Sequence, residues 1–205
     1  MLPVVVLVGR PNVGKSTLFN RLTGTRDAIV ADLPGVTRDR QYGYGRLGPV
    51  PYVVVDTGGL VEQPNGIESP MRVQTERAVA EADVLVFITD ARAGLTPQDH
   101  FVARELRRSG KRVVLAVNKA EGFDPATAAA DFHSLGFGDP IAIASAHGEG
   151  CRELMETALE PFTAEDVAAD APEDGRIRIA VIGRPNVGKS RSEEHTSELQ
   201  SHSDL

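Results

Sequence analysis

The stretch GRPNVGKS occupies residues 9–16, after the apolar run VVVLV at residues 4–8 and before the segment TLFNRLTG at residues 17–24. It holds two glycines five positions apart, followed by a lysine and a serine. Glycines at this spacing let the backbone curl so that successive N–H groups point inward, and the helix that follows adds the positive end of its dipole. An apolar strand, this loop and a helix in succession predict a phosphate-binding loop.

Two side chains of the loop suggest how it would hold a nucleotide. Lys15 would reach the β- and γ-phosphates, and the Ser16 hydroxyl is a hard oxygen ligand of the kind that Mg²⁺ prefers. The helix beginning at Lys15 is expected to bury Leu18, Phe19 and Leu22 and to stop at Gly24.

Two later motifs could complete the phosphate site. Asp56 ends the apolar run YVVVD, where ligands bind in parallel sheets, and could hold a water of the Mg²⁺ shell. The glycines after Thr57 permit a loop that can move, and the Gly59 amide could contact a γ-phosphate until hydrolysis removes it. Thr37, in LPGVTRD, could supply another hydroxyl to Mg²⁺. These motifs predict a loop that responds to the γ-phosphate.

The segment AVNKAEG, just past another apolar strand, predicts the choice of base. The Glu121 carboxylate can accept hydrogen bonds from the N1–H and the exocyclic amine of guanine, whereas adenine offers a lone pair and a C–H there. Asn118 and the Lys119 stem would hold the edge and the face of the base. In ASAHGEG, the Ser145 and Ala146 backbone could meet the guanine O6. The segment therefore favours a guanine nucleotide over ATP.

The motifs together give three overlapping sets of candidate residues. The predicted nucleotide-binding residues are Gly9, Asn12, Val13, Gly14, Lys15, Ser16, Thr17, Asp56, Thr57, Gly58, Gly59, Asn118, Lys119, Glu121, Ser145 and Ala146. The residues predicted to take part in hydrolysis are Lys15, Thr37, Gly59 and Asn12. The predicted Mg²⁺ ligands are Ser16, Thr37 and Asp56.

Short β-branched runs alternate with longer mixed segments along the chain. Near-continuous apolar strands alternating with helices predict an α/β fold with a mostly parallel central sheet and helices on both faces. One helix has signals at both ends, with Thr96 as N-cap, Pro97 at the first position and Gly110 at the stop. The runs predicted as strands are residues 4–8, 52–56, 84–88, 113–117 and 141–145.

The composition is that of a soluble globular protein, with 205 residues, 41% hydrophobic and 25% charged. The net charge of −7 gives no overall footprint for nucleic acid, so we expect no DNA partner, although a local basic patch leaves RNA open. The single cysteine favours a reducing compartment, and there is neither a signal peptide nor a run of ~20 apolar residues. We therefore expect a cytoplasmic monomer without a membrane anchor.

The chain is predicted to contain four parts. Residues 1–161 form a first domain, and the acidic, alanine-rich residues 162–175 form a linker. Residues 176–190, ending in a second GRPNVGKS, form the truncated start of a second domain. Residues 191–205 have no apolar periodicity and resemble a translated sequencing adapter, which suggests a non-native tail; the alternative is a genuine tail that binds a partner. We predict that no nucleotide binds at Lys189.

In this order, the motifs closely resemble those of the bacterial double-Era-domain GTPases, the family called Der or EngA. The resemblance covers residues 1–190 and rests on GRPNVGKS, PGVTRD, DTGG, DARAGLTPQD, NKAE and SAHGEG, followed by the second GRPNVGKS. It implies a P-loop NTPase fold of the TRAFAC-type G domain, in two tandem copies before a KH-like domain. It also implies Mg²⁺-dependent GTP hydrolysis and a role in maturing the large ribosomal subunit, of which this chain would be an incomplete fragment.

Two departures from other GTPases bear on the mechanism. Leu60 stands where Ras-type enzymes place the glutamine that orients the attacking water. The resemblance therefore implies a slow enzyme that uses bound K⁺ as a charge substitute, with Asn12 as its ligand; the alternative for Asn12 is a turn residue. Glu121 replaces the more general aspartate of the guanine motif. Two functions stay open, a K⁺-stimulated GTP hydrolase and a guanine-nucleotide binding module with negligible turnover.

Overall fold

The central feature of the fold is a sheet whose strands run in the order β2-β3-β1-β4-β5-β6. The structure is a computed structural model that describes residues 2–24, 41–57, 78–163 and 165. The chain divides into two compact units, Met1–Ala171 and Pro172–Leu205, and every described residue lies in the first. The strands are β1 (Val4–Val8), β2 (Gln41–Gly45), β3 (Tyr52–Asp56), β4 (Val84–Asp90), β5 (Arg112–Asn118) and β6 (Ile141–Ala142).

Helices follow most of these strands. The described α-helices are α1 (Lys15–Thr23), α2 (Pro97–Arg108), α3 (Pro125–Ala129) and α4 (Cys151–Leu159), and a 3₁₀ helix spans Ala130–Leu135. Strand β1 pairs in parallel with β3 and β4, β4 with β5, and β5 with β6, whereas β2 is antiparallel to β3. The predicted α/β fold with a mostly parallel sheet is confirmed.

Strand β1 shows why its sequence is apolar without alternation. Successive side chains of a strand point to opposite faces of the sheet. Val5 and Leu7 pack in one core cluster with residues of α1 and α4, while Val6 and Val8 pack in a second cluster with residues of α2 and the 3₁₀ helix. Because helices cover both faces, every position of the strand meets apolar neighbours.

The ends of α1 and α2 agree with the local signals in the sequence. Helix α1 begins at Lys15 and ends at Thr23, with Gly24 as its C-cap; the φ of Gly24, 68°, is left-handed, and its N–H donates to the Asn20 carbonyl. At the start of α2, the Thr96 hydroxyl accepts from the Asp99 N–H, and the Asp99 carboxylate accepts from the Thr96 N–H. This reciprocal capping box satisfies two N–H groups that a helix start leaves without partners.

The largest differences from the sequence predictions are in two strands. Strand β2 was not predicted, because its sequence QYGYG contains two glycines, which are disfavoured in strands. A Cβ at Gly45 would lie 2.0 Å from the buried Tyr52 ring, so the strand packs only without a side chain there. Strand β6 covers Ile141–Ala142 instead of residues 141–145, because the chain then turns and Ala144 bridges to Glu149.

Several predictions fall on parts of the chain that the structure does not describe. The linker, apart from Phe162, Thr163 and Glu165, lies outside the described residues, and so do the second GRPNVGKS and the tail. The boundaries of the four predicted parts therefore stay predictions. Within the described ranges, no helix is long and apolar enough to cross a membrane.

Candidate functional site

The candidate site lies at the carboxyl edge of the parallel strands. Strand β1 sits between β3 and β4, and β4 pairs with β5, so the loops leaving these strands emerge side by side. Ligands in open α/β sheets bind in the crevice outside this edge. The loop at residues 9–14 leaves β1 here. The segment AVNKAEG at residues 116–122, which we call the base-recognition segment, includes the end of β5 and continues past it here.

The backbone of the first loop requires glycine at two places. Gly14, the N-cap of α1, has a φ of 99°, a left-handed conformation that side chains rarely adopt. A Cβ at Gly14 would also lie 2.3 Å from the Asn118 side-chain nitrogen, and one at Gly9 would lie 2.3 Å from the Ile88 carbonyl oxygen. The first loop can therefore approach β4 and the end of β5 this closely only with these glycines.

Lys15 lies inside the loop that precedes it. Its Nζ donates to the Gly9 and Arg10 carbonyl oxygens, at 2.9 Å each. The side chain is buried, and burial lowers the pKa of Lys15; the Asp56 carboxylate opposes this shift and the Arg10 guanidinium adds to it. A buried cation gains much from an anionic partner, so this amine is suited to bind phosphate oxygens.

The two described residues predicted to hold Mg²⁺ are in direct contact. The Ser16 hydroxyl donates to the Asp56 carboxylate at 2.6 Å, although the two residues belong to α1 and to the end of β3. Asp56 is almost fully buried, and the next residue, Thr57, fixes the turn by donating from its hydroxyl to the Leu7 carbonyl at 2.8 Å. A hydroxyl and a carboxylate side by side are the oxygen donors that fit Mg²⁺.

Asn118 connects the phosphate loop to the loop after β6. Its Nδ2 donates to the Val13 carbonyl at 2.7 Å, and its Oδ1 accepts from the N–H and the hydroxyl of Ser145, at 3.0 and 2.8 Å. The side chain is buried. The structure therefore shows a side chain that joins these two loops, and the predicted contact of Asn118 with the base edge stays a prediction.

Lys119 and Glu121 are each held by an ion pair. The Lys119 Nζ donates to the Asn12 carbonyl at 2.7 Å and to the Asp90 carboxylate at 2.6 Å. The Glu121 carboxylate accepts from the Arg92 guanidinium at 2.7 Å. Asn12 and Lys119 both have a positive φ, 65° and 63°, so the turn interpretation of Asn12 fits its backbone.

Sequence reasoning missed three charged residues beside this site. Asp90 is the last residue of β4, and Arg92 follows that strand. Arg21 lies in the last turn of α1, where its guanidinium donates to the Ser145 and Ala146 carbonyl oxygens. Burial raises the pKa of Asp90, but the hydrogen bonds from Lys119, Ala93 and Arg92 outweigh it and the net shift is downward. Asp90 ends an apolar strand as Asp56 does, and that signal could have identified it.

The remaining predicted residues divide into two groups. Val13 is buried within the loop, and Thr17 is exposed in the first turn of α1. Thr37, Gly58, Gly59 and Leu60 lie outside the described residues, so their predicted roles stay predictions.

Comparison with known proteins agrees with this geometry. A sequence model of the family described as 50S ribosome-binding GTPase matches residues 4–119. GTPase Der from Azoarcus sp. (strain BH72) is 60% identical over 191 residues, which cover 93% of this chain and 43% of that protein. The chain therefore spans less than half the length of this curated relative.

Solved structures share the fold. Era from Aquifex aeolicus bound to GDP·AlF4⁻ superposes with a TM-score of 0.65 at 29% sequence identity, over 78% of this chain and 56% of that one. Era in complex with MgGDPNP and a segment of 16S ribosomal RNA gives the same TM-score and identity over the same shares of each chain. With the family model matching more than half of its residues, the chain belongs to the 50S ribosome-binding GTPases.

Proposed function

We propose that this chain binds GTP with Mg²⁺ and hydrolyses it slowly to GDP and phosphate. The observation that carries the proposal is the Ser16 hydroxyl 2.6 Å from the Asp56 carboxylate, next to the buried amine of Lys15. A P-loop serine and a strand-end aspartate are the groups that hold the metal of a nucleoside triphosphate in P-loop NTPases. The solved relatives named above carry GDP·AlF4⁻ and MgGDPNP, which supports a guanine nucleotide.

The described residues have separable roles in this proposal. Lys15 would move its hydrogen bonds from the loop carbonyls to phosphate oxygens, which stabilise its buried charge. Ser16 and Asp56 would hold Mg²⁺, which when bound neutralises charge on the phosphate oxygens. Asn118 keeps the phosphate loop and the base loop at a constant spacing, and Glu121 selects guanine.

The proposed slow rate of GTP hydrolysis and its dependence on K⁺ are inferred from which residues the sequence has at four positions. Leu60 has no hydrogen-bonding group with which to orient water, so we propose K⁺ stimulation with Asn12 as the ligand. Thr37 and Gly59 would contribute a hydroxyl to Mg²⁺ and an amide to the γ-phosphate. By likeness to GTPase Der and to the family described as 50S ribosome-binding GTPase, we also propose that the chain is an incomplete part of a cytoplasmic, monomeric switch that acts on the large ribosomal subunit.

The test is GTP turnover by the full chain in K⁺ and in Na⁺ buffer, with ATP as competitor. We expect faster turnover in K⁺, and Asn12→Ala is expected to remove the difference between the two cations. The second octapeptide supplies a matched control, because Asn186→Ala changes the same residue in the same eight letters and is expected to leave turnover unchanged.

Other outcomes would change the proposal. GTP binding without turnover in either cation would favour the binding module. Displacement of GTP by ATP at equal concentration would overturn the guanine preference.

A further inference from the structure

The loop after β4 contacts both charged residues of the base-recognition segment. We define the β4 loop as residues 90–95, of sequence DARAGL, which begins at the last residue of β4. Its Ala91 N–H donates to the Asn118 carbonyl at 2.8 Å, which fixes the β4 loop against the end of β5. From this position, Asp90 reaches Lys119 and Arg92 reaches Glu121.

The Asp90 carboxylate is held by its own loop as well as by Lys119. The residue is 5% exposed, and its Oδ1 accepts from the N–H groups of Arg92 and Ala93, at 2.9 and 3.2 Å. Its Oδ2 is then directed at the Lys119 Nζ, 2.6 Å away. The Lys119 amine is thereby held between the Asp90 carboxylate and the Asn12 carbonyl.

Arg92 restricts the side chain of Glu121, which is one methylene longer than an aspartate. A glutamate has one more rotatable bond than an aspartate, so it loses more conformational entropy when its carboxylate is held in one place. The Arg92 guanidinium takes one carboxylate oxygen at 2.7 Å and limits that freedom before a base arrives. An ionised carboxylate has about four lone-pair sites, so this bond leaves acceptor capacity for the N–H groups of guanine.

We propose that Asp90 and Arg92 are positioning residues for guanine recognition, Asp90 acting through Lys119 and Arg92 acting through Glu121. The inference rests on the proposed guanine-nucleotide function. It assigns the two residues different effects, because the Lys119 stem covers the face of any purine whereas Glu121 reads the edge that carries the exocyclic amine.

The experiment measures the affinity of the full chain for GDP and for IDP, which lacks the exocyclic amine. Arg92→Ala is expected to weaken GDP binding by about two- to five-fold, as for a partly exposed ion pair, and to weaken IDP binding less, so that the ratio of the two affinities falls. Arg92→Lys should restore part of that ratio. Asp90→Asn is expected to weaken both nucleotides by about ten-fold with an unchanged ratio.

Asparagine at position 90 keeps an oxygen for the two loop N–H groups and replaces the charged acceptor opposite Lys119 by an NH2 group, which cannot accept the lysine's hydrogen bond. The matched control is Arg108→Ala, which breaks the exposed ion pair with Glu105 on α2, also at 2.7 Å, and should change neither affinity. Wild-type affinities in folded Arg92→Ala and Asp90→Asn would overturn the inference. An equal loss of GDP and IDP binding in Arg92→Ala would overturn its assignment to Glu121. If the unmodified chain bound no GDP, the proposed function itself would fail.

Discussion

The two copies of GRPNVGKS, at residues 9–16 and 183–190, have the same letters and different neighbours. In the first copy, the helix that follows buries Leu18, Phe19 and Leu22 in the core beneath the sheet. The residues at the matching positions after the second copy are Ser192, Glu193 and Thr196. These polar residues cannot anchor a helix by apolar burial. The first copy is therefore followed by a helix that packs in the core, whereas the sequence after the second copy lacks the apolar pattern that predicts such a helix.

The first copy also depends on residues far away in the chain. Its Val13 carbonyl accepts from Asn118, its Ser16 hydroxyl donates to Asp56, and its Asn12 carbonyl accepts from Lys119. After residue 190 the sequence contains neither a second Asp-x-x-Gly nor a second Asn-Lys pair. The comparison indicates that a phosphate loop needs both its own sequence motif and hydrogen-bond partners elsewhere in the chain. Matched substitutions in the two copies can separate the contribution of the motif from that of the partners.

The largest effect is expected from the packing of the helix. Phe19→Ala removes a fully buried ring and should lower the free energy of unfolding by about 3–5 kcal/mol, whereas Glu193→Ala should change it by less than about 0.5 kcal/mol. Urea denaturation of both variants measures the difference. A comparable loss in Glu193→Ala would mean that the second copy also precedes a packed helix.

Lys15→Ala should weaken GTP binding by at least about 100-fold, close to 2.7 kcal/mol, because the charge-assisted hydrogen bonds to phosphate disappear. Lys189→Ala should leave affinity unchanged, with one nucleotide bound per chain. Isothermal titration calorimetry gives both the affinity and the stoichiometry. Thermal melting without nucleotide serves as the control that Lys15→Ala is folded. Two nucleotides per chain would contradict our interpretation of the second copy.

Gly14→Ala tests the backbone rather than the charge. The substitution places a Cβ against Asn118 and keeps a φ of 99°, so we expect a loss of about 1–3 kcal/mol in the free energy of unfolding. Gly188→Ala should cost less than about 0.5 kcal/mol. Thermal and urea unfolding of the two variants provide the measurement, and equal costs would show that the two loops are held in the same way.

The smallest effect concerns pH. The pKa of Asp90 is lowered from its ordinary value of 3.8, so its charged form stabilises the fold above that pH. This contribution is lost as the pH falls through the folded pKa, below 3.8. The difference in Tm between the unmodified chain and Asp90→Asn should therefore shrink as the pH is lowered below 3.8. Asp204→Asn, after the second copy, should show no such dependence.

Local signals in the sequence predicted a large part of the fold. Strands β1 and β3 begin and end where their predicted apolar runs do, and β4 and β5 extend slightly beyond theirs. Helices α1 and α2 begin and end at the positions that their capping residues predict. Strand β2 escaped prediction because its glycines are explained only by the side chains that cover them, Thr23 and Phe19 at Gly43 and Tyr52 at Gly45. The short β6 escaped because its end depends on a bridge to a residue in the next loop.

The candidate site also has features that the sequence predicted and features that only the tertiary structure shows. By itself, the sequence determined the strand–loop–helix unit around Lys15 and the order of the motifs, because spacing, glycine positions and helix caps act over a few residues. Tertiary structure decided that Asn118 joins Val13, 105 positions away, and that Arg92 holds Glu121, 29 positions away. The physical reason is that such partners depend on which strands become neighbours in the sheet, and this order results from contacts between segments that are far apart in the chain.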